Sequence, residues 1–358
     1  MKKTIVSFGV IALGLMFASG PALAQSSVSS GGGANTLVSA GATAAAASQT
    51  GGIIAGAVGG AIGGGVAPAG PVVQNLDGRF ASRSTPYFSS RALAGKSAGK
   101  QPRAGFWVLG GYTSVDNDEA GGKFDGDIIN VLAGLDYKPA KFNGKMVVGI
   151  AAGYEDVDIN TAFNTGTFEG SGFTIAPYFG YQLHKNWSID GSGGIAFLEY
   201  DTSRTSNAVK GNFDGLRAFG AVNLTGNYQR KKWRFTPKVG VMGLWEEQDA
   251  YTETGTSTAA VGKTRIHLIR INIGGEVGYR IKKVEPFVSA RLQYDPDRNS
   301  PVTLTTGLVA SDDDIGAVFG GGLNINGKKV SGQLKYETQQ IKNDLTTHSF
   351  TGRVRFNF

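Results

Sequence analysis

Three observations predict an all-β fold for residues 104–358, a 12-stranded antiparallel transmembrane β-barrel. The last fourteen residues, LTTHSFTGRVRFNF, alternate with a period of two. Phe350, Gly352, Val354, Phe356 and Phe358 share one face, while Ser349, Thr351, Arg353, Arg355 and Asn357 share the other. Phenylalanines toward one medium and arginines toward the other suit a wall between lipid and a wet lumen. Eleven further segments of the same kind precede it, and the connections between segments alternate between short and long. An even strand count puts both ends of the wall on one side.

Residues 1–24 read as a secretory signal peptide. Lys2 and Lys3 form a positive start, an apolar run extends from Ile5 to Phe17, and Ala22-Leu23-Ala24 supplies small residues at a cleavage position near Ala24. Beyond it no apolar window of about 18 residues occurs, so any membrane crossing falls to strands. The 358-residue chain has no cysteine, which excludes a disulfide framework and thiol chemistry. Its formal charge of +7 falls to +5 once Lys2 and Lys3 leave with the signal peptide, which is too mild to point to nucleic acid.

Residues 25–70 are Ser, Gly and Ala with almost no charge, including GGIIAGAVGGAIGGG at 51–65. Such a stretch buries too little to fold alone and reads as a disordered linker or short passenger. Glycines at 52, 56, 60 and 64 also make a small-residue ridge that would let helices pack closely in lipid, although the apolar run is too short to span alone. The segment PVVQNLDGRFASR at 71–83 has helical spacing through Val73, Leu76 and Phe80, with Pro71 at a plausible first position. It carries Asp77, Arg79 and Arg83, so a charged lumen suits it better than lipid. It is the expected lumen helix, with Arg79 or Arg83 toward Glu276 or Glu285, and the Gly/Ala-rich stretch is expected to emerge on the far side of the barrel. Pro86 and Pro102 close this helix-and-linker region, 71–103, before the first strand.

The predicted strands are 104–115, 123–137, 145–158, 168–182, 187–201, 212–229, 233–247, 263–281, 284–295, 313–325, 329–339 and 345–358. KPAKFNG, HKN, RKK, KK and NGK are the short connections, expected to be periplasmic. DNDEAGG, NTAFNTG, SRTSNAVKG and the stretches after the seventh and ninth strands are the longer, external ones. The predicted lumen charges are Arg270, Glu276, Arg280, Glu285, Arg291, Lys335, Glu337, Arg353 and Arg355, because an arginine facing lipid at the midplane costs about 2–4 kcal/mol. Their plainest role is to solvate the lumen and pair with one another; gripping a helix or a passing chain is the sharper one. Trp107, Tyr112, Tyr137, Tyr154, Trp187, Trp233, Trp245, Tyr279 and Tyr294 read as an interfacial girdle. Gly180, Gly220 and Gly274 read as inward glycines that leave room for a helix.

No catalytic, cofactor or metal set emerges. His184 falls in a short turn, and His267 and His348 fall on the lipid-facing parity, so none is placed as a base. The acidic run Asp312-Asp313-Asp314 reads as a solvated, lipopolysaccharide-facing loop end rather than a calcium site.

The GFWVLGGY first strand, VEPFVSARLQYD in the ninth, the preceding short helix and the RVRFNF ending together resemble the translocator domain of bacterial autotransporters. That resemblance implies a barrel in the Gram-negative outer membrane, among lipid and lipopolysaccharide, which accompanies export of an N-terminal passenger; the lack of a catalytic set makes no enzyme the expectation. It also implies the secretion translocon, periplasmic chaperones and outer-membrane assembly machinery as partners, with Phe358 as the assembly signal. Two departures stand out: residues 25–103 hold no stacking repeat, and no Asn-Asn pair is present for self-cleavage within the barrel. The exported part is therefore expected to be short and to stay attached. A stand-alone pore or a structural surface protein is the alternative, and a barrel-embedded hydrolase ranks last.

Overall fold

The computed structural model describes Ile54, Ala61 and residues 103–118, 123–298, 314–327, 329–339 and 345–358. Twelve long strands form the wall. They are β1 (Ala104–Asn117), β2 (Phe124–Tyr137), β3 (Met146–Thr161), β4 (Gly166–His184), β5 (Trp187–Arg204), β6 (Val209–Gly226), β7 (Trp233–Gln248), β8 (Thr264–Tyr279), β9 (Val284–Arg298), β10 (Ile315–Ile325), β11 (Val330–Gln339) and β12 (Leu345–Asn357). Each pairs antiparallel with its sequence neighbours, and β1 also pairs with β12 from Gly105 opposite Asn357 to Asn117 opposite Leu345. The ring therefore closes and leaves no open edge, which a bilayer requires because it offers no water to satisfy unpaired backbone groups.

Alternation decides the two faces. Ile150, Phe173, Ile175, Phe197, Ile273, Val288, Leu292 and Leu334 point outward and are more than half exposed, a lipid-facing band no water-soluble surface would tolerate. Their sequence neighbours turn inward and are buried. The turns at the chain-terminal end are short. In the first, Asn143 and Gly144 reverse the chain at φ of 50° and 76°, values these two residues adopt at little cost.

At the opposite end β3, β4 and β5 run for 16, 19 and 18 residues. A tilted strand needs about 9–11 to cross the hydrocarbon, so these three rise well beyond it. Two registers break: between Gln182 and His184 against β5, and between Ile269 and Ile271 against β9. A small hairpin, Tyr251–Thr252 with Ala260–Val261, stands in the β7–β8 connection at the long-loop end, and Thr254–Gly255 adds to the start of β6.

Two expectations fail on phase. Trp107 is fully buried on the inner face and is no part of an outer girdle. Gly220 faces outward, because Phe219 and Ala221 on either side take the lumen face. The expected helix at 71–83, with Arg79 and Arg83, lies outside the described residues, as do Asp312 and Asp313.

Candidate functional site in the barrel lumen

The lumen has an apolar half and a charged half. Among the described residues, one inward cluster comprises Trp107 and Leu109 of β1, Leu132 of β2, Val147 and Ala151 of β3, Ala176 and Tyr178 of β4, Phe219 and Ala221 of β6, Met242 and Leu244 of β7, and Leu268 of β8. Ile54 and Ala61 belong to the same cluster; both are helical and 0% exposed. Residues of the Gly/Ala-rich stretch, predicted to be disordered, therefore sit at these two positions inside the barrel against its apolar wall. A small-residue segment suits this place, since short side chains let a backbone approach an already filled lumen.

Glycines seat the large side chains of that wall. A Cβ on Gly134 would meet the Trp107 indole at 2.4 Å, and one on Gly149 would meet the Tyr178 ring at 2.3 Å. Across the wall Trp107 Nε1 donates to Tyr178 Oη at 2.9 Å, and Tyr178 donates to Asp136 at 3.2 Å. These two glycines thus make room for rings of neighbouring strands, while a Cβ on Gly274, expected to leave room for a helix, would meet Arg291 Cβ at 2.3 Å.

The charged half is built of bidentate and bridged pairs. Arg270 holds Asp295 through two bonds of 2.5 and 2.6 Å. Arg234 bridges Glu285, at 2.6 Å, and Glu276, and Arg280 reaches Glu285 at 3.5 Å from the rim. Arg291 binds Glu337 at 2.7 Å, with Lys335 on the same carboxylate. Arg353 is buried one inward position from Arg355. Arg355 of β12 reaches over β1 to Asp136 of β2 with bonds of 2.6 and 2.8 Å, which ties the closing seam across three strands. That reach needs Gly105, whose Cβ would fall 2.1 Å from the guanidinium. Phe358 is exposed on the outer face while its backbone exchanges bonds of 3.0 and 3.1 Å with Ala104.

Of the charges expected on the inner face, Arg270, Glu276, Glu285, Arg291, Lys335, Glu337, Arg353 and Arg355 are buried and Arg280 is half-buried at the rim; Glu276 and Glu285 both engage Arg234. Several partners were not foreseen: Asp136, Arg234, Asp295 and the group around Arg217. Arg217 binds Glu246 at 2.7 Å and Glu155 at 2.6 Å, and Tyr200 donates to Glu246 at 2.9 Å. Simple alternation along β7, with Arg234, Thr236 and Lys238 on one parity, was the signal that could have found Arg234.

At the long-loop end a second apolar cluster, including Val115, Phe124, Ile159, Phe168, Tyr200 and Phe213, fills the lumen above the first. Phe168, Tyr200, Phe213 and Tyr251 form a ladder with ring centroids 5.3, 5.2 and 4.8 Å apart. Tyr251 brings the β7–β8 hairpin over this mouth, and Arg204 anchors it through two bonds to Glu253 at 2.8 and 2.7 Å. That contact holds the Glu253 carboxyl below its ordinary value and raises Arg204. Among the described residues this end of the lumen is filled by apolar side chains.

Comparison with known proteins was consistent with this architecture. The family model described as Autotransporter beta-domain matches residues 106–345. Among solved structures, the translocator domain of autotransporter NalP from Neisseria meningitidis superposes with a TM-score of 0.62 at 13% identity, covering 72% of this chain and 89% of that one. The beta domain of the Bordetella autotransporter BrkA gives 0.55 at 15%, covering 72% and 100%. The transport unit of autotransporter AIDA-I from Escherichia coli gives 0.53 at 16%, covering 75% and 94%. At these identities the likeness is one of fold. The uncharacterized protein YaiT of Escherichia coli (strain K12) is 25% identical over 224 residues, or 58% of this chain and 22% of that protein. The chain spans about a fifth of that curated relative's length.

Proposed function

Because the chain belongs to the autotransporter beta-domain family, we propose that this outer-membrane barrel passes its own upstream segment into the lumen, retains the part bearing Ile54 and Ala61 there, and displays residues nearer the N-terminus outside the cell. The observation that carries this reading is the complete burial of those two helical residues among inward side chains of β1 to β8. The lumen charges pair largely among themselves, and the apolar wall is left as the surface that grips.

In this reading a signal peptide ending near Ala24 delivers the chain to the periplasm, where chaperones and the assembly machinery receive it. We assign the barrel no catalytic step: His267 and His348 lie on its outer face, and His184 ends β4 at the short-turn rim. Hydrolysis of lipid or peptide by the purified barrel would overturn that assignment.

The test exploits the absence of native cysteine. Intact cells should bind an antibody against an epitope tag inserted after Ser30, with the barrel still heat-modifiable in gels. Ala61→Cys should crosslink, through a short flexible reagent, to Met242→Cys on the lumen face and not to Val241→Cys on the lipid face. A tag reached only after the outer membrane is broken, or equal crosslinking from both faces, would reject the proposal.

A further inference from the structure

The short-turn rim is one-signed. Arg230, Lys231 and Lys232 precede β7, and Lys282 and Lys283 precede β9; all five are exposed. The one acid in 228–238 and 279–288 is Glu285, which points into the lumen and is held by Arg234. The two turns form one surface, since the Arg280 amide donates to the Lys232 carbonyl at 2.8 Å and the Trp233 and Tyr279 rings pack edge to face at 4.9 Å. Lys232 lies 5.9 Å from the centre of the Tyr279 ring, which holds its charge at the interfacial level.

Four residues further into the wall, about 14 Å along the strands, the lipid-facing surface dips. Pro237, Gly275, Ala290 and Phe319 lie side by side on β7, β8, β9 and β10, and Phe235, Val277 and Val288 form the row nearer the turns. Gly275 and Ala290 are too small to fill the space between the flanking phenylalanines. The resulting groove measures about 690 Å³ and is lined mainly by apolar surface, with Thr236, Glu276 and Ser289 also at its lining. That volume is within the ~300–1,000 Å³ of small-ligand sites. A groove in the outer wall of a membrane barrel, opening toward a cluster of cations at the rim, matches a molecule with an anionic head and an acyl tail.

We propose that this surface is a specific site for an anionic phospholipid of the periplasmic leaflet. Its phosphate would lie among Lys232, Lys282 and Lys283, and one acyl chain would lie over Gly275 and Ala290 between Phe235 and Phe319. Clustered basic residues at a membrane surface attract anionic lipid in proportion to their number, while the groove selects a chain anchored directly below them. Attraction of charge alone would need no groove, and a groove alone would not distinguish head groups.

The full-length protein, taken from nanodiscs of equal phosphatidylglycerol and phosphatidylethanolamine and examined by native mass spectrometry, should keep phosphatidylglycerol preferentially. The variant Lys232→Gln/Lys282→Gln/Lys283→Gln should lower that retention at least about fivefold. Lys141→Gln/Lys145→Gln/Lys185→Gln, which removes the same charge from the more distant turns, should leave it unchanged. Ala290→Trp, which fills the groove without touching a turn, should lower it as well. Every variant is first checked for heat-modifiable migration, and all substituted residues are exposed. Equal retention of both lipids, equal loss in the two triple variants, or no effect of Ala290→Trp would each overturn the proposal. A lipid-free dimer would do the same, by showing that a second copy of the chain covers the groove.

Discussion

Gly149 and Arg355 show how single positions govern the wall. A side chain at Gly149 would displace the Tyr178 ring and with it the bonds to Trp107 and Asp136. Gly149→Leu is therefore expected to destabilise by about 1–3 kcal/mol, the usual cost of overpacking, read as a lower temperature for loss of the compact gel form. Arg355→Met should cost more, about 3–5 kcal/mol, because Asp136 would remain buried and unpaired. Adding Asp136→Asn to Arg355→Met should recover part of the loss, since the stranded charge is gone. If the double variant were weaker than Arg355→Met by the full cost of a second independent site, the two groups would not be partners. Arg355 was legible as an inward charge from alternation alone. Its partner was not, because Asp136 lies two strands away across the closing seam, and no local pattern encodes that reach.

At the scale of elements, the strands whose faces differ in polarity were the ones the sequence made readable. In β12 and β8, arginines alternate with phenylalanine and isoleucine, and phase and boundaries fall within a few residues of the expected ones. In β1 and β6 the lumen side is itself apolar, with Trp107, Leu109, Phe219 and Ala221 inward. Both faces then look alike, so Trp107 was read as girdle and Gly220 as lumen. The hairpin over the mouth was invisible for a different reason: it depends on the Tyr251–Phe213 stack and the Arg204–Glu253 pair, both tertiary.

That hairpin carries a pH prediction. The folded-state value of Glu253 is depressed, chiefly by its bonds to Arg204. The stabilisation is fully present above the ordinary glutamate value, about 4.3, and is lost as pH falls through the lowered one. The protection of residues 249–262 against hydrogen exchange, taken relative to the intrinsic rate at each pH, should be high at neutral pH and fall at strongly acidic pH, while β7 and β8 stay protected. In Glu253→Gln exchange should be faster at neutral pH and lose that acid dependence; an unchanged profile would show that the pair does not hold the loop.

For the whole molecule, the lumen's division into an apolar and a charged half explains how a barrel can be plugged by its own low-complexity segment. Arg270, Arg291 and Arg355 on β8, β9 and β12 each hold a carboxylate within the wall, which rigidifies it. The apolar faces of β1 to β8 would otherwise enclose poorly wetted space, and Ile54 and Ala61 are buried there instead. Burying an isoleucine side chain contributes about 1.5–3 kcal/mol, enough to favour retention over release. Ile54→Asp should reverse that preference, because an aspartate with no designed partner in the apolar half costs several kcal/mol to desolvate. In planar bilayers the native chain should show low conductance, and Ile54→Asp should show frequent opening steps. Deletion of residues 25–70 should raise conductance further, although the ring of Trp107, Tyr178 and Phe219 would still restrict water. If the native chain conducted as freely as the deletion, the segment bearing Ile54 would not be the plug.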